Sequence, residues 1–219
     1  MSTEFRRAAK EGNEAAVLEM VRQGMDVNAS TSNGWTALVH AVAAGNVSMV
    51  RLLISLGADV HVRMNHGESL LAKALARGHA DVALALLDCG ADANDVRSCG
   101  ETLLMRATRI GNVAVVTRLL ECGAAVNACD DEGFTALIVA ASKGHVSVAA
   151  ALIAAGADVN AETNAGVTPL MRAAGRGSID IVDLLIEHGS RVDEDAIRWT
   201  TDMGQIAAVE MLRLHGEQR

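Results

Sequence analysis

Glycine returns in this chain at a stride of 33 residues, in three separate registers. One register holds Gly34, Gly67, Gly100, Gly133 and Gly166. A second runs through Gly12, Gly45, Gly78, Gly111, Gly144 and Gly177, and a third through Gly24, Gly57, Gly90, Gly123, Gly156 and Gly189. Composition alone does not place glycines in step. A fixed internal period of this length marks stacked units that each contact only their neighbours, and it excludes a globule built round one central core.

One unit shows how the repeat folds. Within residues 164–174, Thr168 offers a hydroxyl to cap free N–H groups, and Pro169 follows where a missing N–H costs nothing. Thr36, Ser69, Thr102 and Thr135 repeat the cap. Leu38, Leu71, Leu104, Leu137 and Leu170 come two residues later, and Ala41, Ala74, Ala107, Ala140 and Ala173 three further on. That i, i+3 pairing is an inward face whose small residue lets another helix approach. This first helix stops at the second glycine register. A second helix ends in apolar pairs such as Leu119-Leu120 and Leu152-Ile153, and third-register glycines supply its left-handed terminus. After it, Gly156 to Ala161 reads Gly-Ala-Asp-Val-Asn-Ala, and alternating Val and Asn followed by Asn, Asp and Gly is hairpin chemistry. Each unit is expected to be hairpin, helix, turn, helix.

Gly-Ala-Asp-Val-Asn-Ala, together with Gly-x-Thr-Pro-Leu-x-x-Ala-Ala-x-x-Gly at Gly166 to Gly177, resembles the ankyrin repeat, and the likeness covers nearly the whole chain. The resemblance implies an all-α-dominated repeat solenoid, helix-turn-helix plus β-hairpin per unit, that binds other proteins. It also marks Asn28, Asn127 and Asn160 as places where the family can be hydroxylated in animal cells. One departure stands out. Where the family often has a histidine tying neighbouring hairpins, this chain has Val39, Ala72, Met105, Ile138 and Met171, so apolar packing is expected to replace that bond.

The period reads as a single domain over 1–219, with an opening cap at 1–30, units at 31–63, 64–96, 97–129, 130–162 and 163–192, and a closing cap at 193–219. Phe5 takes the place of the repeat leucine, and Ser2 or Thr3 is expected to cap the first helix. Gly189 and Gly216 are only 27 residues apart, so the last unit drops its hairpin, and Asp193-Glu194-Asp195 opens its helix directly. Acidic residues suit that place, because a helix N-terminus carries positive partial charge.

A net charge of −8 argues against nucleic acid as a partner. No apolar run is long enough to span a membrane, and the first residues lack a signal peptide, which fits a cytoplasmic monomer. Cys89 and Cys122 occupy equivalent places, about 10 Å apart in a helix stack and too far for a disulfide. With Cys99 and Cys129 they read as reduced thiols. The seven histidines form no metal-ligand spacing, and His79 and His145, just past turn glycines, read as structural. No nucleophile elbow, phosphate loop or dinucleotide fingerprint is present. The expectation is a non-enzymatic protein without metal or cofactor.

Partner choice should lie in the positions that vary. Six, nine and ten residues past each hairpin glycine, the first helix should face the concave groove. Those fifteen places hold His40, Lys73, Arg77, Arg106, Arg109, Val139, Ser142, Lys143, Arg172, Gly175 and Arg176 with three alanines and Ile110, and seven of them are basic and none acidic. Chance would give roughly one basic residue and two acidic ones in a chain with 19 basic and 27 acidic residues. Glu68, Glu101, Asp130, Asp131 and Glu132 on the hairpins are the groups that could neutralise the stripe internally. Trp35 and Phe134 directly follow hairpin glycines, and Trp199 takes the groove position of the closing cap. Large rigid aromatics in a groove serve as binding anchors. The partner-binding set is therefore Trp35, Lys73, Arg77, Arg106, Arg109, Phe134, Lys143, Arg172, Arg176 and Trp199, and the expected ligand is an acidic or phosphorylated segment of another protein. The alternatives are a scaffold with no dedicated partner, and an adaptor that binds through hairpin tips or outer helices.

Overall fold

The computed structural model describes residues 2–97 and 99–216, the side chains of Ser2 and His66 excepted. Its contacts divide the chain into two compact units, Met1–Asp95 and Val96–Arg219. The first contains α1 (Ser2–Glu11), α2 (Glu14–Arg22), α3 (Ala37–Ala44), α4 (Val47–Ser55), α5 (Leu70–Ala76) and α6 (Ala80–Asp88). The second contains α7 (Leu103–Ile110), α8 (Val113–Glu121), α9 (Ala136–Lys143), α10 (Val146–Ala154), α11 (Pro169–Arg176), α12 (Ile179–Glu187), α13 (Glu194–Asp202) and α14 (Ile206–Gly216).

Each odd-numbered helix from α3 to α11 starts where the sequence puts a hydroxyl. Thr36, Ser69, Thr102, Thr135 and Thr168 each accept the N–H three residues ahead. Asp193 does the same for α13. The helix α1 already includes Ser2 and Thr3, so neither stands outside it as the expected cap. All seventeen glycines of the three registers have positive φ, between 72° and 93°. Gly216 does not join them, since it lies inside α14.

Packing follows the period. In the first unit α3 packs on α1, α4 and α5, while α4 packs on α6. In the second, α9 lies against α7, α10 and α11, and α10 against α8 and α12. First helices thus stack on first helices and second on second. The repeat leucines and alanines form the interior: Leu38, Leu71, Leu104, Leu137 and Leu170 are at most 1% exposed, and the five alanines are fully buried. Phe5 joins them, fully buried.

The fingers between helix pairs are hairpins in their shortest form. Among the described residues they hold single antiparallel bridges, Arg63 to Ser69, Val96 to Thr102 and Cys129 to Thr135, and no extended strand. In three fingers a side chain helps to close the turn. Thr31 Oγ1 accepts the N–H groups of Asn33 and Trp35, and Asp130 Oδ1 those of Glu132 and Phe134. Thr163 Oγ1 accepts from Val167.

Successive units are also tied by asparagine. Asn28 Nδ2 donates to the Gly57 carbonyl at 3.0 Å, and its Oδ1 accepts the Asp59 N–H at 2.9 Å. Asn127 does the same with Gly156 and Asp158, and Asn160 with Gly189 and Arg191. The three asparagines singled out for modification are therefore already engaged through both ends of the amide.

Candidate protein-binding face

The groove cations fall into distinct electrostatic situations. Lys73 is half-buried on α5, and its Nζ lies 3.1 Å from Glu68 and 5.4 Å from the centre of the Trp35 ring. Trp35 in turn meets His40, ring centres 4.9 Å apart. Arg109 is exposed, with its guanidinium 2.9 Å from Glu101. Arg176 donates to the Ser142 carbonyl at 3.2 Å. Arg77, Arg106, Lys143 and Arg172 form no ion pair among the described residues. Arg77 and Lys143 are exposed, and Arg106 and Arg172 half-buried.

Arg172 is held by rings. Its guanidinium carbon lies 5.4 Å from the centre of Phe134 and 6.0 Å from that of Trp199. All three aromatics of the expected set are half-buried, each beside a cation rather than alone in the groove. The sequence carried a signal for this pairing. Trp35 and Lys73 are 38 residues apart, as are Phe134 and Arg172, one period plus five. Each pair lines a pocket, of 330 Å³ at Trp35 and 460 Å³ at Phe134. An asparagine fingertip lines each one. Asn65 Nδ2 reaches Asn33 Oδ1 at 3.3 Å, and Asn164 Nδ2 reaches the Asp131 carbonyl at 2.9 Å.

Val139 corrects one groove assignment. It is only 6% exposed, a short apolar side chain on a helix flanked by α7 and α11. Of the hairpin acids, Glu68 and Glu101 do neutralise cations, whereas Asp130 is occupied with its own turn. His79 and His145 lie over the preceding turn glycines, their Nε2 atoms 3.3 and 3.4 Å from the carbonyls of Ala43 and Arg109. A Cβ at Gly45 or Gly111 would meet those rings at 2.8 and 2.7 Å. Among the described residues no His, Cys, Asp and Glu side chains converge as a metal-binding group, and no helix is long and apolar enough to cross a membrane.

Burial first, then the charges of Arg6 and Lys10, holds the His40 imidazole below its ordinary 6.5. A base whose pKa falls on folding binds its proton more readily when unfolded. The stability tied to His40 is thus complete above about pH 6.5 and is lost as pH falls from there through the folded value. We expect NMR titration to place His40 below 6.5 and Lys10→Ala to raise it. A titration unchanged by Lys10→Ala would mean the lysine charge does not reach the ring.

A family model described as ankyrin repeats matches the chain in three copies, over residues 5–97, 86–163 and 104–196. The chain belongs to the ankyrin-repeat family. Among solved structures, an ankyrin repeat domain from Acinetobacter baumannii is similar at 31% identity and a TM-score of 0.79, covering 87% of this chain and all of that one. A chain from the structure of a predatory endopeptidase of Bdellovibrio bacteriovorus in complex with an immunity protein is similar at 30% identity and a TM-score of 0.71, covering 84% of this chain and 96% of that one. A search of curated protein sequences returned no match. Ankyrin repeats are generally modules of protein interaction, and their domains are typically non-enzymatic.

As an ankyrin protein this chain lacks the hairpin histidine, and its residues there, Val39, Ala72, Met105, Ile138 and Met171, are all buried. Polar ties persist at the fingertips. Asp131 N–H donates to the Cys99 carbonyl at 3.2 Å, and Asn164 N–H to that of Glu132 at 3.0 Å. Apolar packing and tip-to-tip backbone bonds together stand where the histidine would act.

Proposed function

We propose that this ankyrin-repeat protein holds a partner protein on its fingers and the exposed sides of its first helices, gripping an acidic or phosphorylated segment. It acts by binding, as a cytoplasmic monomer, and performs no chemistry on what it holds. The observation that carries this is the charge of the first helices. Seven of fifteen variable positions on the first helices are basic and none acidic in a chain of net charge −8, and Arg77, Arg106, Lys143 and Arg172 form no ion pair among the described residues. Family membership supports binding as the general role, as does the one similar structure that comes from a complex of an endopeptidase with an immunity protein.

Arg106→Glu with Lys143→Glu reverses two cations without breaking an ion pair. Fields from exposed charges are screened within about 8 Å at physiological salt and act mainly on encounter. Surface plasmon resonance with the captured partner should show association slowed about tenfold, dissociation little changed and a flatter salt dependence. Binding equal to the parent at every salt concentration would move the interface to the fingertips or outer helices.

A further inference from the structure

We infer that Arg172 reads a carboxylate side chain of the partner segment, and that the apolar neighbour of that residue lies on Phe134. This rests on the reading that the face binds an acidic segment, and it names the contact.

The first-helix position that holds Arg172 also holds Lys73 and Arg106 in other units, and the residue five places earlier decides each one's state. For Lys73 it is Glu68, 3.1 Å away. For Arg106 it is Glu101, which turns to Arg109 at 2.9 Å and Arg97 at 3.5 Å. For Arg172 it is Val167, 6% exposed and unable to take up the charge. The cation is kept in place by Phe134 and Trp199 instead. Aromatic faces attract a guanidinium without using its N–H groups, so the planar fork stays available for two parallel bonds to one carboxylate. The Arg172 Nε is buried with no hydrogen-bond acceptor.

Space for this clamp is built into α11. Gly175 sits in the helix one turn on from Arg172, where glycine is unfavourable. A Cβ there would stand 2.9 Å from the Trp199 indole nitrogen. The missing side chain lets the indole reach the arginine.

The adjoining 460 Å³ pocket combines Phe134 and Ala165 with Thr163 and Asn164, an apolar wall beside hydrogen-bonding groups. Asp131 and Glu132 line it as well. Their repulsion and the attraction of Arg172 both scale with the ligand's charge, so the choice of ligand rests on shape and on the apolar wall. The planar fork and the apolar wall together suit a carboxylate with an apolar neighbour.

The test follows arginine Nε–Hε signals of the full chain, with Arg172 assigned by its disappearance in Arg172→Lys. N-acetyl-aspartyl-leucinamide, its asparaginyl counterpart and inorganic phosphate are added in turn at constant ionic strength. The Arg172 signal should shift saturably with the aspartyl probe, much less with the asparaginyl one, and more weakly with phosphate. In Arg172→Gln the aspartyl probe, followed at the Trp199 indole N–H, should bind about tenfold more weakly, the scale of a charged hydrogen bond. If Arg106 responds and Arg172 does not, the acidic-segment reading stands and this assignment falls. If neither responds, both fall. Equal responses to the two peptides, or tighter binding of phosphate, would also overturn it.

Discussion

Leu137→Ala should lower stability by about 2–5 kcal/mol, the range for removing a buried leucine whose cavity cannot fully collapse. Leu137 has no exposed surface, and its helix α9 packs against α7 on one side and α11 on the other. Stability in a stack is close to a sum over units and their interfaces, so a void here weakens two interfaces at once. Urea unfolding should report the loss, and hydrogen exchange should show α9 and its neighbours opening before the rest of the second unit. A change below about 1 kcal/mol would mean that the leucine does not fill the interface.

The second large effect separates strain from collision. Gly133 and Gly156 have nearly the same backbone angle, φ 84° and 87°. An alanine at Gly156 would find nothing within 4 Å, so it should cost only the left-handed strain, about 1–2 kcal/mol. At Gly133 the added Cβ would stand 2.8 Å from Asn164 N and 3.0 Å from Thr163 Cα, atoms of the next finger. Moving that backbone away breaks the bond from Asn164 N–H to the Glu132 carbonyl. Gly133→Ala should therefore cost more than Gly156→Ala by about 1–3 kcal/mol. Equal midpoints in thermal melts of the two variants would show that the fingertips yield freely.

Those contrasts mark how far the sequence can be read. Backbone geometry that recurs with the period was legible: the glycine registers, the hydroxyl caps from Thr36 to Thr168, and the leucine and alanine interior. Each has a local cause repeated at every turn of the stack. The fingers were read as hairpins because their composition suits turns. What a composition cannot show is that Thr31, Asp130 and Thr163 close their turns by accepting N–H groups from within them. The charge state of the face was hidden for a different reason. Glu68 pairs with Lys73, yet Glu101 passes over the equivalent Arg106 for Arg109 and Arg97, a choice that register alone does not reveal. The pairing of aromatics with cations was open to a reader who compared separations of one period plus five.

The asparagine ties constrain how this chain can change in length. Asn127 grips backbone atoms 29 and 31 residues ahead, and Asn160 does the same. Excising residues 128–160 would remove 33 residues and still leave Val-Asn-Ala across the junction, because Val126-Asn127-Ala128 and Val159-Asn160-Ala161 read alike. Asn127 would then face the carbonyl of Gly189 and the N–H of Arg191, the groups that Asn160 holds now. An excision that is not a whole number of repeats would offer the amide the wrong atoms. Recombination can therefore lengthen or shorten this protein in whole repeats with every joint intact, while single-residue insertions between an asparagine and its acceptors are the changes that the architecture resists.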